Sequence, residues 1–261
     1  MTTLLSVDGA EISILTALKW RLISGDTSFF DETIKNAAIV GHAAKSGITA
    51  SADELQTFFN ELRYELELDK ADDLNAWLME NKFDLKDVQD FCEIGVLRNK
   101  IRAGVADSEI ADHYSANKSS YDVAELYSIT VESEDTANEL FAQLEEGDES
   151  FQALAVEHSI DGDTFRQGGF VGEVTRETVR GEVEAAVFAA SPGDLIGPLK
   201  DEDGFTIYMV RTIIQPELDA IRDTIHDELF EAKIDEITAS AKVVHSLLGI
   251  EEDIPTDDDE D

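Results

Sequence analysis

The apolar residues of this chain change their spacing twice, and that change limits the folds open to it. Up to about residue 118 they recur every three or four positions, the period of an amphipathic helix. From about 119 to 214, short alternating or apolar runs interrupt the helical pattern, punctuated by Gly and Pro. After Pro216 the helical period returns, with Leu218, Ile221, Ile225 and Leu229 on one stripe. Helices, then strands mixed with helices, then one more helix make an α+β chain.

Local signals sharpen this outline. Ser51-Ala52-Asp53-Glu54 is a capping-box signature. It opens a helix whose Leu55, Phe58, Phe59, Leu62 and Leu66 share a face. The spacing predicts a second helix over Ala71–Asn81, with Leu74, Trp77 and Leu78 inward, and a third over Leu85–Ala103, using Val88, Phe91, Cys92 and Leu97. Ser13–Ile23 and Thr27–Ala44 carry the same period, and Gly47 reads as a terminator. The whole first segment therefore reads as helical. Cys92, His42 and His113 are isolated on these helices and read as packing residues.

In the middle segment, Asp122–Val131 is β-prone. A helix bearing Ala137, Leu140, Phe141 and Leu144 follows, then a short helix over Phe151–His158. Another helix, Glu177–Ala190, precedes the turn Ser191-Pro192-Gly193, and strands are expected at Leu195–Leu199 and Phe205–Ile213. The final helix is expected to reach about Leu248. Its long apolar stripe needs cover, and the N-terminal helices are the expected cover. The expected organisation is a helical domain over 1–118, an α+β module over 119–214 inserted in or attached to it, a C-terminal helix over 215–250 packed on the N-terminal domain, and a disordered acidic tail over 251–261. The tail holds eight carboxylate side chains and no base.

Composition narrows the function classes. With 261 residues and 43% apolar content the chain can bury a sizeable core. Its net charge of −38 repels phosphate backbones and anionic lipid, so neither nucleic acid nor a membrane surface is an expected partner. The acidity can keep a client-binding protein soluble, or it can reflect salty surroundings that screen self-repulsion. No run approaches the roughly 18–20 apolar residues of a membrane span. The start, MTTLLSVDGAEIS, does not read as a secretory signal, and the single cysteine suits a reducing compartment, so a cytoplasmic location is expected. Asp161-Gly162-Asp163 lacks the further ligands of a calcium loop, and neither metal nor cofactor is expected.

The stretch from Ser159 to Gly172, SIDGDTFRQGGFVG, carries the most functional information. It resembles the active-site loop and following strand of parvulin-type peptidyl-prolyl isomerases, where Ser-x-Asp, then Ser, then Gly-Gly-x-Leu-Gly recur at this spacing. Ser159, Asp161, Thr164, Gly168, Gly169, Val171 and Gly172 occupy those positions. The resemblance runs from about Asp122 to Val210, through Glu184–Phe188, Pro192-Gly193, Gly197-Pro198-Leu199 and Gly204-Phe205-Thr206-Ile207. It implies a four-stranded antiparallel sheet with flanking helices. The helices before and after it resemble the shell of bacterial foldase-chaperones, which binds extended clients and whose members are mostly exported.

That resemblance implies a cofactor-free reaction on proline-containing unfolded or precursor peptides. The amide barrier is about 18–20 kcal/mol. An apolar cup and a few hydrogen-bonding groups lower it by favouring the twisted amide. Asp161 matches the loop position of a catalytic Asp or Cys; as a plain turn aspartate it would instead bond its own backbone. Ser128 and Thr206 stand where active parvulins carry two histidines on adjacent central strands; they are either site-lining hydroxyls or ordinary strand residues. Val171, Val179, Val183 and Phe188 match the proline pocket or its neighbours, and Phe205 joins the substrate-binding set. Arg166 and Arg176 flank the loop, where they can grip a peptide or simply be solvated. Two functions follow as expectations: a peptidyl-prolyl isomerase with a helical peptide-binding shell, or a non-catalytic chaperone or adaptor using the same fold as a platform.

Overall fold

Side-chain N-caps written in the sequence open five helices of the computed structural model, which describes residues 3–147, 149–179, 181–201, 203–245 and 250–251. The chain divides into two units, one formed by residues 1–107 with 226–261 and the other by residues 108–225.

The first unit opens with a hairpin of β1 (Thr3–Val7) and β2 (Ala10–Ser13), with Val7 paired to Ala10. Asp8 and Gly9 take positive φ, 50° and 81°, at its turn. This departs from the expectation of helix throughout the first segment. Every residue of β1 is exposed, so no buried face imposes an alternating pattern. Helices α1 (Ile14–Ile23) and α2 (Ser28–Ser46) follow, and α2 ends on Gly47 in the left-handed region. The complete Ser51/Glu54 capping box opens α3 (Ala52–Glu65). After α4 (Ala71–Asn81), a second box, Asp84 with Asp87, opens α5 (Leu85–Ala103).

Leu78, Val88 and Cys92 form the centre of the α3–α5 packing, with Leu55, Phe58, Phe59, Leu62, Leu74 and Trp77 around them. Burial raises the Cys92 thiol pKa. Phe91 and Leu66, expected inward, are 55% and 43% exposed.

Next come α6 (Asp107–Asn117), β3 (Val123–Val131), α7 (Glu134–Glu146), α8 (Phe151–His158), β4 (Phe170–Thr175), α9 (Glu182–Ala189), β5 (Leu195–Lys200) and β6 (Phe205–Ile214). The four strands make one antiparallel sheet in the order β4-β3-β6-β5. One face packs Ile129, Val131 and Ile207 against α7 and α8 through Ala137, Leu140, Phe151 and Leu154. The other packs Ala124, Leu126, Val210 and Ile196 against Val187 of α9. Helix α9 starts at Glu182 rather than Glu177. Thr175 first accepts turn bonds from the N–H groups of Thr178 and Val179, and Gly181 takes φ 65°.

The last helix, α10 (Leu218–Ala239), ends well before Leu248. Ser240 Oγ bonds back to the Ile237 carbonyl, and β-branched Val243 and Val244 follow. Within the first unit, α10 buries Phe230, Ile234 and Ile237. Arg98 meets Glu231 at 2.8 Å, Lys35 meets Asp235 at 3.1 Å, and Arg102 pairs with Asp227. The guanidiniums of Arg98 and Arg102 also lie over the Phe230 ring. The expected tail from 252 to 261 lies outside the described residues.

Candidate functional site

Strand alternation places Ser128 and Thr130 of β3 on the sheet face that carries Leu126, and Thr206 and Tyr208 of β6 on the face that carries Val210. The register pairs Leu126 with Val210, Ser128 with Tyr208 and Thr130 with Thr206, so these side chains share the α9 side of the sheet. Ser128, Thr130 and Thr206 are the buried polar side chains among the described residues.

They are linked by hydrogen bonds. Thr206 Oγ1 donates to Asp201 Oδ2 at 2.7 Å, and Thr130 Oγ1 lies 2.9 Å from Thr206 Oγ1. A carboxylate only accepts, so Thr206 spends its proton on Asp201 and Thr130 is the donor between the two threonines. Asp201 Oδ1 accepts from the N–H groups of Asp203 and Gly204, both at 2.9 Å, which fixes the carboxylate in the β5–β6 turn. Tyr208 faces Ser128 in the register and packs with the α9-side cluster. Burial first, then the Asp201 charge, raises its pKa, while the nearby Thr206 hydroxyl opposes the rise.

The expected pair of Ser128 and Thr206 is therefore split across the register. Thr206 faces Thr130, and Ser128 faces Tyr208. Ser128 instead anchors the glycine loop, donating its N–H to the Gly169 carbonyl at 2.8 Å. Gly169 takes φ 80°, and a β-carbon there would stand 2.4 Å from the Ser128 carbonyl oxygen. Only glycine allows that approach.

The α8–β4 loop hangs from the start of the hydroxyl chain. Ile160 N–H donates to the Thr130 carbonyl at 2.8 Å, and Thr130 N–H donates to Ser159 Oγ at 3.2 Å. Asp161 closes its own turn: Oδ2 accepts from Thr164 Oγ1 at 2.5 Å and Oδ1 from Asp163 N–H at 3.0 Å. Loop and hydroxyl chain thus share one residue, Thr130.

Val179, Val183 and Phe188 are half-buried against the α9-side cluster, beside Leu199 and Tyr208. Two expected substrate-binding residues lie elsewhere. Val171 is 41% exposed and stands outside that cluster. Phe205 packs on the opposite face with Ile129, Val131 and Ile207, because the neighbour of an α9-side residue in a strand points the other way. The Arg176 guanidinium stacks 4.3 Å from the Phe188 centroid, donates to the Ser119 carbonyl at 2.8 Å and to Glu184 at 3.1 Å, and so braces α9. Arg166 lies over Phe165 on the loop surface.

Sequence reasoning missed Thr130, Asp201 and Tyr208. The available signal was the period-2 spacing from Ser128 to Thr130 and from Thr206 to Tyr208, plus the turn-forming Asp201 and Gly204 just before β6.

Comparison with known proteins bears on this arrangement. Residues 126–212 match the family model for the rotamase PPIC-type PPIASE domain. A foldase protein PrsA from Caldanaerobacter subterraneus subsp. tengcongensis is 26% identical over 222 residues, covering 82% of this chain and 68% of that protein. A foldase protein PrsA from Halalkalibacterium halodurans is 26% identical over 187 residues, covering 69% of this chain and 55% of that protein. The chain thus spans between about half and two thirds of the length of such relatives. A crystal structure of peptidylprolyl isomerase (PrsA) from Bacillus cereus shares the fold, with a TM-score of 0.54 at 21% identity over 95% of both chains.

Proposed function

This chain carries a parvulin-type (rotamase) domain over residues 126–212, and from that premise we propose that it is a peptidyl-prolyl cis-trans isomerase acting on unfolded or precursor polypeptides. The observation that carries the reading is the hydroxyl chain from the buried Thr130 and Thr206 to the exposed Asp201, on the sheet face where Tyr208 packs with the half-buried Val179, Val183 and Phe188. Isomerisation breaks no bond. It needs the proline ring held out of water and the carbonyl free to rotate past donors that favour the twisted amide. Val179, Val183 and Phe188 supply apolar contact. Tyr208, packed in the same cluster, supplies a phenol donor beside it. Asp161 holds the loop at the rim, and its carboxylate lone pairs beyond the turn bonds add negative potential there.

The test is exchange NMR on proline peptides. The wild type is expected to accelerate cis–trans exchange, and Thr206→Val to reduce that acceleration about tenfold, equivalent to ~1.4 kcal/mol of barrier. Acceleration unchanged in Thr206→Val would remove the hydroxyl chain from the reaction. A second reading, a non-catalytic peptide-binding platform, draws support from Asp161, whose two oxygens are both engaged within its own turn. Proline-peptide binding without acceleration would establish that reading instead.

A further inference from the structure

Glycine weakens the interior of a helix, because its backbone loses more freedom on folding than that of any other residue, so its presence there asks for a reason. Two helices of the first unit carry one, Gly41 in α2 and Gly95 in α5. In α5 the reason is packing: a β-carbon on Gly95 would collide with the Phe58 ring. In α2 packing gives no reason, since a β-carbon on Gly41 would meet nothing within 4 Å. The space left open there belongs to a cavity of about 400 Å³ between α2 and the chain that leaves α10. That volume falls within the roughly 300–1,000 Å³ of small-molecule sites.

The residues around this cavity fix the sign of its occupant. Ile34, Ala38, Ile237 and Val243 give it apolar walls, Lys45 and Lys242 line it as cations, and no acidic side chain of the described residues lines it. In a chain with 58 acidic and 20 basic side chains, that lining reverses the prevailing charge. Lys35, on the same helix, is held by Asp235, but Lys45 and Lys242 meet no carboxylate among the described residues. A cation in the last turn suits the carbonyl end of any helix, so Lys45 alone would select nothing. Lys242 comes from a separate segment, and the helix end does not account for the open space at Gly41. At about 0.15 M salt, charges more than about 8 Å away are largely screened, so lysines at the cavity count for more than the distant part of the −38 total.

We propose that this cavity binds a small organic anion, an anionic head on a short apolar body. The body takes the space above Gly41 against Ile34, Ile237 and Val243, and the head meets Lys45 and Lys242. An ammonium is a point charge without the planar fork of arginine, so carboxylate and phosphate heads both suit it. No residue of the 108–225 unit lines the cavity, and the proposal stands independently of the isomerase reading.

Isothermal titration calorimetry of the full chain tests it with octanoate, octyl phosphate, octylammonium and acetate. The two octyl anions are expected to bind saturably and at least about tenfold more tightly than octylammonium, which has the wrong sign, or acetate, which lacks the body. A preference between the two anions identifies the head. Gly41→Leu places a side chain in the open space and suits a helix better than glycine does. It is expected to weaken octanoate at least about tenfold with the helical circular dichroism unchanged. The double variant Lys45→Gln, Lys242→Gln, at exposed positions, is expected to weaken octanoate about tenfold and to narrow its advantage over octylammonium. Octylammonium binding as tightly as octanoate, unchanged octanoate affinity in Gly41→Leu, or no saturable binding of either anion at millimolar concentration would each overturn the proposal.

Discussion

The two units of this chain treat apolar surface differently. In the sheet unit, Ala124, Ile129, Val187, Ile207 and Val210 are fully buried, and the large apolar side chains exposed among the described residues are Val156, Ile160, Val171 and Ile214. In the helical unit, Trp20, Ile23, Phe29, Tyr64, Met79, Leu85 and Phe91 are all exposed. Charge does not account for the contrast. Residues 108–225 hold 26 acidic and 7 basic side chains and the remainder 32 and 13, a net of −19 in each. A sheet covered on both faces completes its own core, whereas helices of modest length present more apolar stripe than their neighbours cover. The first arrangement gives a rigid scaffold for a site, the second a surface that can accept a partner.

If that contrast is real, substitutions of equal size should have unequal effects on stability. Ile207→Ala empties volume at a fully buried position between two helices and the sheet, and is expected to destabilise the sheet unit by about 3–4 kcal/mol. Phe91→Ser removes a larger side chain from the helical unit yet is expected to cost only about 0.5 kcal/mol, because the ring is already more than half in water. Urea unfolding followed by circular dichroism measures both. Comparable losses would mean that the exposed aromatics are as load-carrying as the sheet core.

Within the sheet unit the contrast can be sharpened at the hydroxyl chain. Thr206→Val removes the partner of Asp201 Oδ2 and of Thr130 Oγ1 and is expected to cost about 1–3 kcal/mol. Thr130→Val costs less, because Thr206 can keep its bond to Asp201. A double-mutant cycle is expected to give a coupling of about 1 kcal/mol. A coupling near zero would mean that the two threonines are held by the strands and not by each other.

How legible these features were in the sequence follows the same division. Where a side chain caps its own helix, the signal is local, and α5 and α8 begin where the residues place them. The antiparallel sheet was legible through the family resemblance that the glycine loop carries, and Gly168 and Gly169 there take backbone conformations that other residues avoid. The hydroxyl chain was only half legible. Ser128 and Thr206 each stand out on one strand, but the partner of Thr206 is fixed by register across two strands, which no single segment records. Phe205 misled for a related reason: it neighbours Thr206 in sequence and faces away from it in space. The β1–β2 hairpin left a readable trace, Asp8-Gly9 between two β-prone runs, which the surrounding helical periodicity masked.

The even split of charge makes a further prediction. Molar salt screens repulsion in both units alike, so it is expected to raise the melting temperature of each transition by about 5 °C, roughly 1 kcal/mol. A rise confined to one unit would mean that the arrangement of charge, and not its total, sets the repulsion.

The smallest expected effect concerns a single cap. Glu54 lies at the start of α3, where Lys100, the Ser51 N–H and the Ser51 hydroxyl bond its carboxylate and hold its pKa down to about 2 from an ordinary 4.5. A carboxyl group with a depressed pKa in the folded protein contributes stability that is fully present above about 4.5 and is lost as pH falls toward about 2. Acid also neutralises the chain's many other carboxylates and relieves their repulsion, which acts in the opposite direction. Glu54→Gln keeps much of the cap geometry and removes the titration. The helical unit of Glu54→Gln is therefore expected to be less stable than wild type at pH 6 and to converge with it near pH 2, while the sheet unit follows the same curve in both proteins. A constant gap across that window would show that the Lys100 and Ser51 bonds act on Glu54 through shape and not through charge.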